Sequence, residues 1–106
     1  MFREMMTMFT GDKYCTPGIR SRIPVYLQNI LWYMIETMVV PHKDDLQVFQ
    51  LEGVYEAGKW KQKIVHSQAQ SDYSQSYAIC TKSIFTCKIF VIDDRTHCTM
   101  LLAEEY

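Results

Sequence analysis

The sequence predicts a two-layer α+β domain, with one main amphipathic helix packed on a mainly antiparallel sheet of about five strands. Three observations carry that expectation. A single apolar stripe at helical spacing runs from Leu27 to Met38. Several runs rich in β-formers follow it, separated by short polar turns. The 106 residues, 48% of them hydrophobic and 13% aromatic, suffice for one core and fall short of two, so residues 1–106 form a single domain. The same composition excludes a disordered tail or a low-complexity linker.

The helix begins near Pro24, which suits a first turn because its missing N–H has no intrahelical partner there, with Ser21 as a candidate cap upstream. Leu27, Ile30, Leu31, Met34, Ile35 and Met38 fall in one stripe to about Val40, and Pro41 ends the helix. Upstream, Lys13 to Thr16 reads as a short edge strand before the turn dipeptide Pro17-Gly18.

The remaining elements are strands. Leu46 to Leu51 is the first of them, Glu56-Ala57-Gly58 supplies turn chemistry, and Trp60 to Ser67 returns to complete a hairpin. Tyr73 to Ile79 alternates large and small residues, which suggests one wet face. Ile84 to Ile92 is the most apolar run and belongs near the sheet centre. Asp93 to Thr96 turns the chain, and Cys98 to Leu102 runs back. A parallel nucleotide-binding architecture needs several crossover helices, and the pattern supplies one long helix.

Charge and targeting restrict the partners. Eleven Lys and Arg against twelve Asp and Glu leave a formal net charge of −1, so nucleic acid would have to bind through a local patch. The start, Met1 to Phe9, is broken by Arg3 and Glu4 and lacks the plan of a secretory signal. No run reaches the ~18 apolar residues of a membrane span. These features predict a soluble, cytoplasmic protein that engages no membrane. Its four cysteines, Cys15, Cys80, Cys87 and Cys98, are then expected to be reduced.

No catalytic or metal signature emerges, and no cofactor is expected. Cys80, Cys87, Cys98 and His97 lack the short spacing of a zinc knuckle. His97 and Cys98 are consecutive, so a strand points them to opposite faces, and a hydrolase built on His66, His97 and Cys98 meets that geometric objection. The acidic doublets Asp44-Asp45, Asp93-Asp94 and Glu104-Glu105 are poor chelates for the same reason. Neither a GxGxxG nor a GxxxxGK[ST] phosphate cradle occurs.

Two surfaces compete for a binding role. Lys59, Lys61 and Lys63 share a strand face beside Trp60 and could track a single strand of nucleic acid, although lysines on an outer strand also serve to block aggregation. The stronger candidate is the aromatic surplus. Tyr26, Trp32 and Tyr33 flank the helix stripe, and Tyr55 and Trp60 stand at the hairpin, so these five are the expected protein-docking residues. Acidic side chains around them are expected to mimic phosphate. The competing expectation for the apolar helix is a second internal layer, with Met5, Met6, Met8 and Phe9 folding over it.

Tyr14-Cys15-Thr16-Pro17-Gly18-Ile19, the Ile23-Pro24 step into Leu27 to Trp32, Asp45 to Leu51, Gln62 to Gln68, and Lys88 to Asp94 with His97 and Thr99 to Tyr106 together resemble a bacterial family. It is catalogued as domain of unknown function 960. The resemblance spans Tyr14 to Tyr106, and the Met-rich start and the Gly53 to Trp60 segment depart from it. It implies a protein of Gram-positive bacteria and of their phages and mobile elements, with no established activity or catalytic residue. From these features we expect a small non-catalytic module that engages a host protein or protein complex, and that inhibits a defence nuclease in the manner of an anti-CRISPR protein. An accessory single-stranded nucleic-acid-binding protein is the alternative.

Overall fold

The computed structural model describes residues 8–106. A six-stranded sheet is covered on one face by two helices. In chain order the elements are β1 (Asp12–Cys15), α1 (Pro17–Arg22), α2 (Val25–Thr37), β2 (Leu46–Glu56), β3 (Lys59–Gln68), β4 (Ser74–Ile79), β5 (Cys87–Asp93) and β6 (His97–Leu102), closed by a 3₁₀ turn over Ala103–Glu105. The sheet order is β1-β6-β5-β2-β3-β4. All neighbours are antiparallel except β1, which lies parallel to β6. The α+β class holds, and the sheet is a mixed one of six strands rather than about five mainly antiparallel ones.

β2 runs on past Leu51 to Glu56, β5 begins at Cys87 rather than Ile84, and both helices depart from their expected bounds. Thr16 and Pro17 open α1 instead of a turn: Thr16 Oγ1 accepts from the Ile19 N–H at 3.4 Å, and Pro17 occupies the first turn. Ser21 therefore lies within α1, where its hydroxyl donates to the Gly18 carbonyl, and caps nothing. The cap of α2 is Pro24 itself, extended at ψ 154, whose carbonyl accepts from Leu27 and Gln28. α2 stops at Thr37, short of Pro41. Thr37 Oγ1 donates back to the Tyr33 carbonyl at 2.8 Å, and Met38 turns extended at ψ 143 while staying buried.

The core lies between the helices and one sheet face. Leu27, Leu31, Met34, Ile35 and Met38 of the stripe are buried against Phe49, Leu51, Ile64, Ile89, Val91, Met100 and Leu102. Met8 and Phe9 join that cluster, with the Phe9 N–H donating to Asp93 Oδ2 at 3.1 Å, while Met5 and Met6 lie outside the described residues. Among the described residues no helix is long and apolar enough to cross a membrane.

Candidate protein-docking surface

The β2–β3 hairpin ends in a two-residue turn between the paired residues Glu56 and Lys59. Ala57 and Gly58 take φ of 51° and 80°, the positive values of a type I′ turn. Its twist suits the flanking strands, so the cross-strand pair next to it, Tyr55 and Trp60, is held in register. Their rings meet edge to face with centroids 5.5 Å apart, and each residue is 60% exposed. Together they form a preformed aromatic prominence of the kind that supplies contact energy at interfaces.

The prominence continues into a groove. Gly53, two residues before Tyr55, is approached by both Trp60 and Ile84: a Cβ built there would lie 3.3 Å from the indole and 3.2 Å from Ile84 Cγ2. The loop carrying Ile84 is fastened by Gln62, whose Oε1 accepts from the Phe85 N–H at 2.7 Å and whose Nε2 donates to the Phe85 carbonyl at 3.0 Å. Phe85 in turn lines a cavity of about 570 Å³ with Arg20, Arg22, Tyr26, Cys80 and Lys82. That volume falls in the usual range of binding clefts. Arg20 Nη1 donates to the Cys15 carbonyl and Arg22 pairs with Glu104 at 2.9 Å, so both guanidinium groups are held in place.

The five expected docking residues therefore divide. Tyr26, Tyr55 and Trp60 lie along this one surface. Tyr33 is exposed on α2 and does not line the groove. Trp32 is corrected: it is only 8% exposed and packs in the core, with Lys13 Nζ 5.7 Å above its ring. Periodicity put it at the flank of the stripe, and β1 widens the covered face beyond that flank. In the groove itself the charged lining residues are Arg20, Arg22 and Lys82, and none is acidic.

Lys59, Lys61 and Lys63 do share the open face of β3, but opposite Glu56, Val54 and Glu52 in register. Lys61 Nζ lies 3.5 Å from Glu56 and Lys63 Nζ 4.0 Å from Glu52. Trp60 points to the other face of the strand. Two of the three ammonium groups, those of Lys61 and Lys63, are thus paired with carboxylates, and the strip is separated from the indole.

The reactive side chains are dispersed. His66 lies on β3 and Cys98 on β6, with β2 and β5 between them, about 14 Å across the sheet and four residues apart along it. His97 is half-exposed on the face opposite buried Cys98. Cys87 begins β5 while Cys98 faces its last residue, Asp93, about 20 Å along the sheet. Burial pushes the thiols of Cys15, Cys87 and Cys98 above the ordinary value, which disfavours a nucleophilic thiolate. Among the described residues no three His, Cys, Asp or Glu side chains are grouped to hold a metal ion.

The acidic doublets act as braces instead. Asp44 accepts from the Gln70 and Ser71 N–H groups and the Ser71 hydroxyl, each at 2.7 Å. Burial pushes its carboxyl up, and those bonds outweigh it and hold the carboxyl below its ordinary value. Glu105 accepts from Thr16 Oγ1 at 2.6 Å and from the Gly18 N–H at 3.1 Å, tying the last turn to α1.

Sequence reasoning missed Arg20, Arg22 and Phe85, and read Lys82 only as further charge for the nucleic-acid face. They come from α1 and from the 80–86 loop, and carry no local motif that links them.

A comparison with curated proteins finds no match. Among solved structures, the crystal structure of a protein of unknown function from Enterococcus faecalis is similar over 95% of each chain, with a TM-score of 0.74 and 24% identity, a likeness of fold. The family described as a staphylococcal protein of unknown function, DUF960, matches residues 12–105, and this chain belongs to that family.

Proposed function

We propose that the chain is a non-catalytic protein-binding module whose docking surface runs from the Tyr55–Trp60 pair into the groove beside Tyr26. The observation that carries the reading is the edge-to-face pair itself: two large aromatic rings, each 60% exposed, held by a two-residue turn. Displaying that much apolar surface costs solubility, and a partner that covers it recovers the hydrophobic free energy. The groove beside it carries Arg20 and Lys82, with Arg22 already paired to Glu104, and so favours a partner segment that places carboxylates next to an apolar anchor. Dispersal of His66, His97 and Cys98 supports binding over turnover. In its narrower form the partner is a host protein machine that a mobile element must disable, a CRISPR nuclease being one example.

The test is affinity capture from a staphylococcal lysate with the wild-type chain and with Tyr55→Ala/Trp60→Ala, followed by titration of the purified captured protein. The expected result is a partner that the wild type binds and the double variant binds at least tenfold more weakly, as loss of two anchor residues implies. Equal binding by both forms overturns the docking surface. In the narrower form, the same substitutions release an inhibited nuclease.

A further inference from the structure

Among the described residues, β4 ends the sheet and pairs only with β3. Natural edge strands are guarded by charge, proline, bulges or shortness. The other edge, β1, is so guarded: it has four residues, two of them Asp12 and Lys13, and leads at once into α1. Ser74–Ile79 has six residues with neither charge nor proline, and none of them takes a positive φ. Its outer row of backbone donors and acceptors is open to another strand.

The flanks of β4 say which strand fits. Register with β3 puts Gln75 and Tyr77 on the helix side, opposite His66 and Ile64, and Ser74, Ser76 and Ala78 on the open side. On the helix side a groove of about 220 Å³ borders the edge, lined by Met34, Met38, Val39, Tyr73, Gln75 and Tyr77 without a charged group. Val39 is 93% exposed at its rim. A fitting strand is therefore neutral, short-chained on one face and able to offer an aromatic or apolar side chain on the other. β4 itself has that pattern.

We propose that β4 is a homodimer edge, where two copies of this chain pair antiparallel about a two-fold axis through Ser76 to form one continuous sheet. In that register Ser76 faces its own copy, Ala78 faces Ser74 of the second copy, and Tyr77 faces Gln75 of the second copy across the groove. Each groove then receives one tyrosine. No like charges meet at the edge, and a net charge of −1 per chain opposes the approach only weakly. Main-chain hydrogen bonds supply the affinity, and the groove fixes the register.

Sedimentation velocity of the full chain up to about 1 mM tests the pairing, since a small interface binds weakly. The wild type is expected to move from the mass of one chain toward that of two. Ser76→Lys and Ser76→Glu each set like charges against each other at the axis, on an exposed side chain, and each is expected to weaken association at least tenfold. Mixing the two variants restores it. Within one chain, Ser74→Lys/Ala78→Lys weakens pairing while Ser74→Lys/Ala78→Glu retains it, which checks the register by a second route. A wild type that stays monomeric, variants that associate like the wild type, or a mixture that fails to recover each overturn the proposal. Tyr55→Ala/Trp60→Ala is expected to dimerise normally, which separates this edge from the docking surface.

Discussion

Gln47 Oε1 lies 2.7 Å from His66 Nε2, and the surrounding hydrogen bonds fix which of the two donates. The Asp44 N–H can only donate, so the atom of Gln68 it meets at 2.7 Å is the oxygen. That oxygen also accepts from Gln47 Nε2 at 2.8 Å, and Gln47 Nε2 donates again to the Asp44 carbonyl. The other end of Gln47 is thereby an acceptor, and His66 carries its proton on Nε2. Its Nδ1 is left as a bare, buried lone pair with no partner among the described residues. The ring stacks on Phe49 with centroids 4.3 Å apart and meets Tyr73 at 5.2 Å.

Neutral His66 is the native form. Burial, with the nearby Lys43 ammonium, holds its pKa down from 6.5 to about 4. Between those values the unfolded chain takes up a proton that the native chain refuses, so stability is full above 6.5 and falls as pH drops toward 4. The whole window is worth about 3 kcal/mol, of which about 2 kcal/mol is lost by pH 5. Urea unfolding at pH 8 and pH 5 reads this difference. His66→Phe is expected to flatten the profile across the window and to cost about 2 kcal/mol at pH 8, because Gln47 Oε1 loses its donor.

Gln62 fastens the groove. Besides its two bonds to Phe85, its Nε2 donates to the Glu52 carbonyl at 3.1 Å. Gln62→Leu keeps the volume and strands those backbone groups, at a cost of about 2 kcal/mol. Hydrogen exchange at the Phe85 amide is expected to accelerate, and partner affinity to fall with it, since the 80–86 loop joins the aromatic pair to the groove.

The hairpin turn contains one favourable and one unfavourable choice. Ala57 adopts φ 51° without the local hydrogen bonding that lets Asn tolerate that region, so Ala57→Asn is expected to stabilise by about 0.5–1 kcal/mol. Gly58 sits at φ 80°, and a Cβ there would meet nothing within 4 Å. Gly58→Ala is nonetheless expected to destabilise by about 1 kcal/mol through backbone strain alone. Thermal unfolding of both variants shows whether the shifts have opposite signs.

Much of this architecture is legible in local pattern. The Leu27 to Met38 stripe, the two hairpins around Ala57-Gly58 and Asp94-Arg95, and the strand before Pro17 follow from spacing and turn chemistry. α1 does not, because Pro17-Gly18 reads as a turn, and its six residues are stabilised by Thr16 and by Glu105 from the far end of the chain. The parallel β1–β6 contact is equally non-local, and with it the burial of Trp32 beneath Lys13. One missed signal was present: Gln47, Gln62, His66 and Gln68 are in phase with Phe49, Leu51 and Ile64 and are all buried. Polar residues in register with a core face require hydrogen-bond partners, which Gln47, His66 and Gln68 find in one another and in the Asp44 backbone, and Gln62 in the backbone of Glu52, Lys63 and Phe85.

Hydrogen exchange on the complex with the captured partner locates the contact surface most directly. Binding through the aromatic hairpin predicts protection concentrated in residues 53–62, 20–26 and 80–86, with β1 and β6 unchanged. Protection that leaves the hairpin tip untouched and falls instead on the open face of β5 and β6 would contradict it.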